Sequence, residues 1–477
     1  MNYEAVIGLE IHAELQTKSK MFCGCKVVDP TTSKPNSSVC PVCMGLPGVL
    51  PVTNKKAVEF GVKVALALSC EINLKSIFAR KNYFYPDLPK GYQISQYEEP
   101  LARNGKIRIQ TSQSEREIRV RRVHLEEDTG KLTHETKGTL IDLNRAGIPL
   151  LEIVSEPDIH TAEEARSYAE NLRSILMYLK VSSGDMQKGV LRIEPNVSIR
   201  PAGSNEFGIR TEIKNLNSFR ALERGIAFEI KRQQTLLEQG EKVAQETVGW
   251  DEERQITFAQ RVKEGEEDYR YFPEPDLPPL DLNPKWIEEL RNSLPELPAV
   301  KRKRFQDVYG LTEDIAGILV QEFDIANYFE AVVSSAPEID PRQISNWITG
   351  ELFSLMNETG ENISNIKVSP DALTELLTLI NKGTVNLTTG KLILMSMFDQ
   401  GCTAMEIMDS LGLRQISDLD QITSIVLKII KENPNQVSSY LGGKEGLFNW
   451  FFGQVMKATQ GKANPNIIRE VLKKNLI

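Results

Sequence analysis

Residues Val190–Ile199 read VLRIEPNVSI, and the alternation in that stretch sets the expectation for the fold. Successive side chains on a strand point to opposite faces. Arg192, Glu194, Asn196 and Ser198 therefore share one face, with apolar residues between them on the other. Such alternation marks a half-buried strand, with one side packed and one side wet. On either side of it, β-like runs recur at Tyr3–Leu9, Lys106–Gln110, Arg116–Val123, Thr139–Leu143 and Gly208–Ile213. Helical signals are fewer here. One covers Ala57–Ser69. A second begins with the capping box Thr161-x-x-Glu164 and lines up Ala165, Ala169, Leu172, Leu176 and Leu179. A third spans about Phe219–Glu238 and stops at Gly240. Most strands lack an intervening helix, so the sequence predicts an α+β domain with a largely antiparallel sheet, not a doubly wound one.

Seven prolines crowd Phe272–Pro298. Proline removes backbone donors and fixes φ, so this stretch reads as an extended connector rather than regular helix or central strand. Beyond it the signal is helical. Ser369-Pro370 caps a helix that ends at Gly383, Thr403-x-x-Glu406 opens another, and Asn464-Pro465 opens the last. The expected organisation is an α+β cradle over 1–292, a helical domain over 293–404 and a small helical tail over 405–477.

The chain has 477 residues, with 40% hydrophobic and 26% charged, which fits an ordinary globular protein and excludes bulk disorder. The longest apolar runs fall far short of the ~20 residues that span a bilayer. The start, Met-Asn-Tyr-Glu, lacks a basic n-region, which argues against a leader and for a bacterial cytosol ahead of an organelle matrix. Net charge is −8, yet Gln421–Ile477 holds eight Lys/Arg against three Glu. That asymmetry suits a polyanionic partner for the tail; a solvated helical face is the simpler account of charge alone.

Four of the six cysteines fall at Cys23, Cys25, Cys40 and Cys43. Two close pairs joined by a loop can wrap one tetrahedral zinc, and four thiolates make a closed, structural site; disulfides or free thiols are the alternatives. In Gly8-Leu9-Glu10-Ile11-His12, period two places Glu10 and His12 on one face, suiting a cation or a base with its orienter, or simply a surface pair on an edge strand. His124-Leu125-Glu126-Glu127-Asp128 ends another strand, and Glu152 follows Leu150-Leu151. Consecutive acids are costly to gather without a cation, although solvated loop acids are common. Glu212 and Lys214 share a face in Thr211–Asn215. Together these positions read as an acidic, cation-holding cradle with lysine and amide donors for phosphate. Arg80–Gln93, rich in Tyr and Lys, could stack on bases, line a polar passage or form a packed loop. There is no P-loop, no Gly-x-Gly-x-x-Gly and no Gly-x-Ser-x-Gly elbow.

Longer motifs then carry a resemblance. Gly8–His12, Lys81–Gln96 (KNYFYPDLPKGYQISQ), His124–Lys131 (HLEEDTGK), Leu143–Pro157 (LNRAGIPLLEIVSEP), Lys214–Ser218 (KNLNS), Tyr269–Pro275 (YRYFPEP) and Gly453–Pro465 (GQVMKATQGKANP) together resemble the GatB family of aspartyl/glutamyl-tRNA amidotransferases. The resemblance covers essentially the whole chain. It implies a heterotrimer, GatCAB, formed with an amidase partner (GatA) and a small third partner (GatC). It also implies a tRNA partner, with no DNA and no membrane. The activity it implies is ATP-dependent phosphorylation of the side-chain carboxylate of Glu-tRNA(Gln) or Asp-tRNA(Asn). Channelled ammonia then gives the amide.

Carried onto this chain, the resemblance implies Glu10, His12, Glu127 and Glu152 for Mg²⁺, with Glu126 and Asp128 supporting them. Glu194, Asn196, Glu212, Lys214 and Asn217 would hold ATP or the acyl-phosphate, Lys214 as a catalytic cation. Lys81 and Lys90 would line the ammonia passage, Cys23, Cys25, Cys40 and Cys43 would hold zinc, and Lys457 and Lys462 would grip tRNA. Two segments depart from the family pattern. Gly446–Phe452 carries extra aromatics expected to repack the tail core, and the loop Lys382–Leu394 is atypical. Two rival classes are an ATP-dependent carboxylate–amine ligase acting on a small molecule and a non-catalytic zinc-containing RNA-binding module.

Overall fold

The computed structural model describes residues 2–29, 31–112, 115–262, 269–411, 419–459 and 463–476. The chain divides into two compact units, Met1–Lys301 and Arg302–Ile477.

The first unit is built on a nine-stranded sheet. Its strands are β1 (Tyr3–Glu14), β2 (Glu71–Ile72), β3 (Ala102–Gln110), β4 (Glu115–Glu127), β5 (Pro149–Ser155), β6 (Leu191–Pro201), β7 (Thr211–Lys214), β8 (Glu246–Asp251) and β9 (Ile256–Val262). They lie in the order β9-β8-β7-β6-β1-β5-β4-β3-β2. Every described pairing in this sheet is antiparallel except β7 with β8, which a helix connects. Three helices, α1 (Lys55–Ala67), α2 (Ala162–Tyr178) and α3 (Phe219–Glu238), pack on one face. Leu9, Ile11, Leu151, Ile153, Ile193 and Val197 are buried beneath them. Each such side chain contributes roughly 1.5–3 kcal/mol by leaving water. The other face carries the polar residues, and over β5 it too is buried.

The expected antiparallel α+β architecture is therefore present, with differences of detail. Strand β5 went unread because all seven of its residues are buried. A central strand covered on both faces shows no alternation. Strands β8 and β9 were also missed, and β7 begins at Thr211 rather than Gly208. The capping box at Thr161 is only half formed. Thr161 Oγ1 accepts from the Glu164 amide, but the Glu164 carboxylate reaches back one residue further to the His160 amide and is held by Arg116. The proline-rich connector is not purely extended. Phe272–Pro273 and Leu280–Asp281 pair as short strands within this unit. Pro284–Asn292 is helical, with Pro284 at the first helical position, where no backbone donor is needed.

The second unit is helical. Its helices include Pro370–Asn381, Leu387–Gln400 and Ala404–Ser410, whose Thr403/Glu406 capping box is complete. Residues 387–394 are the first half of a helix rather than loop. Near the C-terminal end, Ile422, Val426, Phe451, Val455, Ile468 and Leu472 form a local core. Phe448, Trp450 and Phe452 pack against it, as expected for the extra aromatics. No helix among the described residues is long and apolar enough to cross a membrane.

Candidate active site

The register of five adjacent strands assembles the site. His12 on β1 stands opposite Arg192 on β6 and Glu152 on β5, and Glu152 stands opposite His124 on β4. Glu10 faces Glu194, and Asn196 faces Glu212 on β7. Neighbouring strands lie ~4.8 Å apart, so these residues form rows across the polar face.

His12 Nε2 lies 3.4 Å from Glu152 Oε2 and 3.5 Å from Glu126 Oε1. One ligand atom from each of the three falls within 4.8 Å of the others. Adjacent ligands of an octahedral Mg²⁺ at ~2.1 Å stand roughly 3 Å apart, so a small contraction seats a cation. His124 Nε2 is 3.1 Å from Glu152 Oε2 and orients it. Glu126 Oε2 and His124 Nδ1 are buried without a hydrogen-bond partner. An orphaned carboxylate oxygen in this position fits a divalent ion. Burial works against the His12 charge, but the hydrogen bond and charge of Glu152, with Glu126, raise its pKa to about 9. Burial also pushes Glu152 up, and the His124 and His12 charges more than reverse it, holding that carboxyl well below its usual range. Lys81 faces the same acids. Burial lowers its pKa, and the Glu126 charge leads a net rise. Its ammonium lies 4.9 Å from the Tyr269 ring centroid.

Glu10, Glu194 and Glu212 form a second acidic group. Lys214 Nζ bridges Glu194 (2.9 Å) and Glu212 (3.4 Å), and Asn196 Nδ2 donates to Glu10 Oε1 (3.0 Å). Burial and the Glu152 charge raise the Glu10 pKa. Beside this group a cavity of about 250 Å³ is lined by Gly8, Glu10, Arg121, Asn196, Phe207 and Arg210 among others.

Behind the first cluster lies a carboxyl pair. Arg192 Nη2 is 2.6 Å from Asp128 Oδ2, and Arg145 Nε is 3.7 Å away. Glu14 shares a hydrogen bond with Asp128, and burial with the Asp128 charge pushes it up to about 8. The folded chain thus holds a proton on Glu14 that the unfolded chain releases near the ordinary glutamate value. Stability from this group falls as pH rises from about 4.5 to 8. Glu14→Gln is expected to flatten that fall and to stabilise the chain at pH 8 by on the order of 1–2 kcal/mol, allowing for solvent. Denaturation midpoints of both chains at pH 5 and pH 8 check this; an unchanged pH slope would refute it.

The four cysteine sulfurs also lie within 4.8 Å of one another, and all are free thiols. A tetrahedron with ~2.3 Å Zn–S bonds has edges of roughly 3.8 Å; Cys40 and Cys43 Sγ are 3.9 Å apart. A hydrogen bond from Cys23, with help from the Cys40 amide and Lys20, pulls the Cys43 thiol down to about 4.

The structure separates some residues that the sequence grouped. Glu126 joins His12 and Glu152, whereas Glu127 faces the opposite side of β4. There Glu127 pairs with Lys90 and accepts from the Ile94 amide. Both line a cavity of about 220 Å³ with Cys23, Cys43 and Lys20. Lys81 and Lys90 therefore belong to different surroundings. Asp128 is engaged by arginines, and Asn217 is exposed in the turn before α3. Lys457 is exposed in the helix Leu447–Ala458; Lys462 lies outside the described residues. Sequence reasoning assigned no role to His124 or Glu14. Both were readable by parity, since His124 shares a face with Glu126 and Glu14 with His12.

Comparison with known proteins gives the family. Residues 5–288 match the GatB/GatE catalytic domain, and 327–476 match the GatB domain. The B subunit of the aspartyl/glutamyl-tRNA(Asn/Gln) amidotransferase of Thermodesulfovibrio yellowstonii is 50% identical over 477 residues, covering 100% of both chains. The proteins of the same name from Thermoanaerobacter sp. strain X514 and Persephonella marina are 51% and 48% identical, again over 100% of each chain. Fold and site thus define an enzyme chain with its catalytic domain on the sheet. The chain belongs to the GatB/GatE family, on its GatB side.

Proposed function

We propose that the polar face of the sheet is the kinase and amide-transfer centre of a tRNA-dependent amidotransferase, a carbon–nitrogen ligase. The observation that carries this is the convergence of His12, Glu126 and Glu152 beside the Glu10–Glu194–Glu212–Lys214 group across five strands. ATP phosphorylates the side-chain carboxylate of Glu-tRNA(Gln) or Asp-tRNA(Asn), and ammonia displaces the phosphate to form the amide. A carboxylate is a poor electrophile; phosphorylation supplies the leaving group.

His12, Glu126 and Glu152 would hold Mg²⁺, with His124 orienting Glu152. When bound, the ion offsets phosphate charge and helps align the transferred group. Lys214 stands ready to leave Glu194 and Glu212 for a phosphoryl oxygen. Arg121, Arg210 and the exposed Phe207 ring of the 250 Å³ cavity offer charge and a stacking surface for the nucleotide. Lys81 and the Tyr83, Tyr269 and Tyr271 rings wall the acyl site. Lys90 and Glu127 line the passage for ammonia from a partner amidase, and a small third protein completes the heterotrimer. The four cysteines hold structural zinc. The basic tail, with exposed Lys428, Lys444, Lys457, Lys473 and Lys474, contacts tRNA phosphates. The working compartment is the cytosol. Residues 1–292 carry the chemistry, and 405–477 carry the tRNA grip.

The test follows ADP release and conversion of tRNA-bound Glu to Gln by the chain assembled with its two partners. It is run in Mg²⁺ and ammonium chloride with Glu-tRNA(Gln), uncharged tRNA or no tRNA. Turnover only with the charged tRNA is expected. Turnover indifferent to tRNA would replace this reading with a small-molecule ligase, and tight tRNA binding with no turnover would replace it with an RNA-binding module.

A pH dependence also follows. Metal binding at His12 must displace a proton held up to about pH 9. Affinity should therefore rise with pH between 7 and 9. Mn²⁺ titrations followed by electron paramagnetic resonance check it, and His12→Gln should lose both the affinity and its slope. A flat profile in the parent chain would exclude His12 as a ligand.

A further inference from the structure

Lys20 is fully buried, and no ion pair joins it to a carboxylate among the described residues; Glu127, which lines the same cavity, is paired with Lys90. Its backbone amide donates to Cys25 O (2.9 Å), which ties it to the first cysteine pair. Its Nζ donates to Leu143 O (3.1 Å) and lies 3.8 Å from Cys43 Sγ. A second donor, the Cys40 amide, approaches the same sulfur at 3.1 Å. A buried ammonium without an anion is strongly disfavoured. The backbone carbonyl supplies a dipole but no charge, and Glu127 is already offset by Lys90, so the candidate in direct contact is the sulfur. Neutral thiols or disulfides would leave the ammonium uncompensated, and a lone metal-free Cys43 thiolate would offset it without the other three sulfurs. Four thiolates around one divalent ion instead carry a net charge of minus two, and an adjacent ammonium offsets half of it.

We infer that Lys20 is the charge-compensating partner of a metal-bound Cys43 thiolate, and that it biases the four-cysteine site toward a divalent metal over disulfides. This rests on the proposed zinc reading and adds a positioning residue outside the ligands. Outer partners of metal ligands are worth about 10- to 100-fold in metal affinity. No zinc-site role for Lys20 follows from the cysteine spacing, because Lys20 lies outside both pairs.

The test uses the full chain, loaded with zinc or with Co²⁺. Lys20→Met should transfer zinc to a competing chelator with about 10- to 100-fold weaker retention. Lys20→Gln, which keeps an N–H donor without the charge, should fall between it and the parent. The sulfur-to-Co²⁺ charge-transfer band should shift in both variants. Should the variants fold poorly, the acetylation rate of Lys20 in the parent chain decides: buried Lys20 is labelled only through local opening, and bound metal should slow that labelling relative to the stripped chain. Equal zinc retention in all three chains, or equal labelling in both states, would overturn the role of Lys20. A parent chain that takes up neither zinc nor Co²⁺ would overturn the zinc reading itself.

Discussion

Glu126→Gln is expected to lower ATP-dependent phosphorylation by about 10²- to 10³-fold, whereas Glu127→Gln leaves that step close to the parent rate. The two residues are neighbours in sequence and differ in parity. Glu126 Oε1 lies 3.5 Å from His12 Nε2, and its other oxygen is buried without a hydrogen-bond partner. Glutamine keeps the volume but removes the charge and places an amide where a cation would sit. Glu127 is committed to Lys90 on the far side of the strand. Its loss should be felt when ammonia must come from glutamine through the assembled enzyme. ADP release with Glu-tRNA(Gln), measured with ammonium chloride and again with glutamine, separates the two variants. Mn²⁺ titration gives an activity-independent reading, lost in Glu126→Gln and kept in Glu127→Gln. The reverse pattern would move the cation to the other face of β4.

The second large effect is on stability. Arg192→Met should destabilise the Met1–Lys301 unit by roughly 3–5 kcal/mol at neutral pH. Asp128 is 4% exposed, and Arg192 supplies its 2.6 Å partner. Removing the guanidinium leaves Asp128 beside Glu14, with only the more distant Arg145 as compensation. Burial pushes the Asp128 carboxyl up, and the Arg192 and Arg145 charges bring it below its ordinary value. Its contribution is therefore present above about pH 4 and lost as pH falls through the lowered value. The penalty of Arg192→Met should shrink in acid. Adding Asp128→Asn should recover much of the loss, because no buried charge then lacks a partner. Calorimetry of the single and double variants at pH 4 and pH 7 reads this directly. A loss that persists unchanged in the Asp128→Asn background would mean that Arg192 acts through packing alone.

Both expectations turn on strand parity, which is also what made much of the site readable. Alternation in Leu191–Ile199 and Gly8–His12 placed Arg192, Glu194, Asn196, Glu10 and His12 on one face before any coordinates. The cysteine spacing and the helices at α2 and α3 were legible for similar local reasons. The choice between Glu126 and Glu127 was legible in principle. Val123 and Leu125 are buried on the helix side, so His124 and Glu126 must face the other way. Motif resemblance points to Glu127, and parity sets that side chain on the other face from His12 and Glu152.

The local elements, the faces of the alternating strands and the paired cysteines are all written in the sequence, because they depend on neighbours two to four residues away. Which faces meet was decided by the tertiary structure. Pairing of β1 with β5 and β6 joins residues more than 100 positions apart, such as His12 with Glu152 and Arg192. The fully buried β5 shows no periodicity, so its register could not be read from its own residues. The partner of buried Lys20 likewise emerges only when Leu143 and Cys43 arrive from elsewhere in the chain. Long-range register and the burial of charge are collective properties of the packed sheet, and no local pattern encodes them.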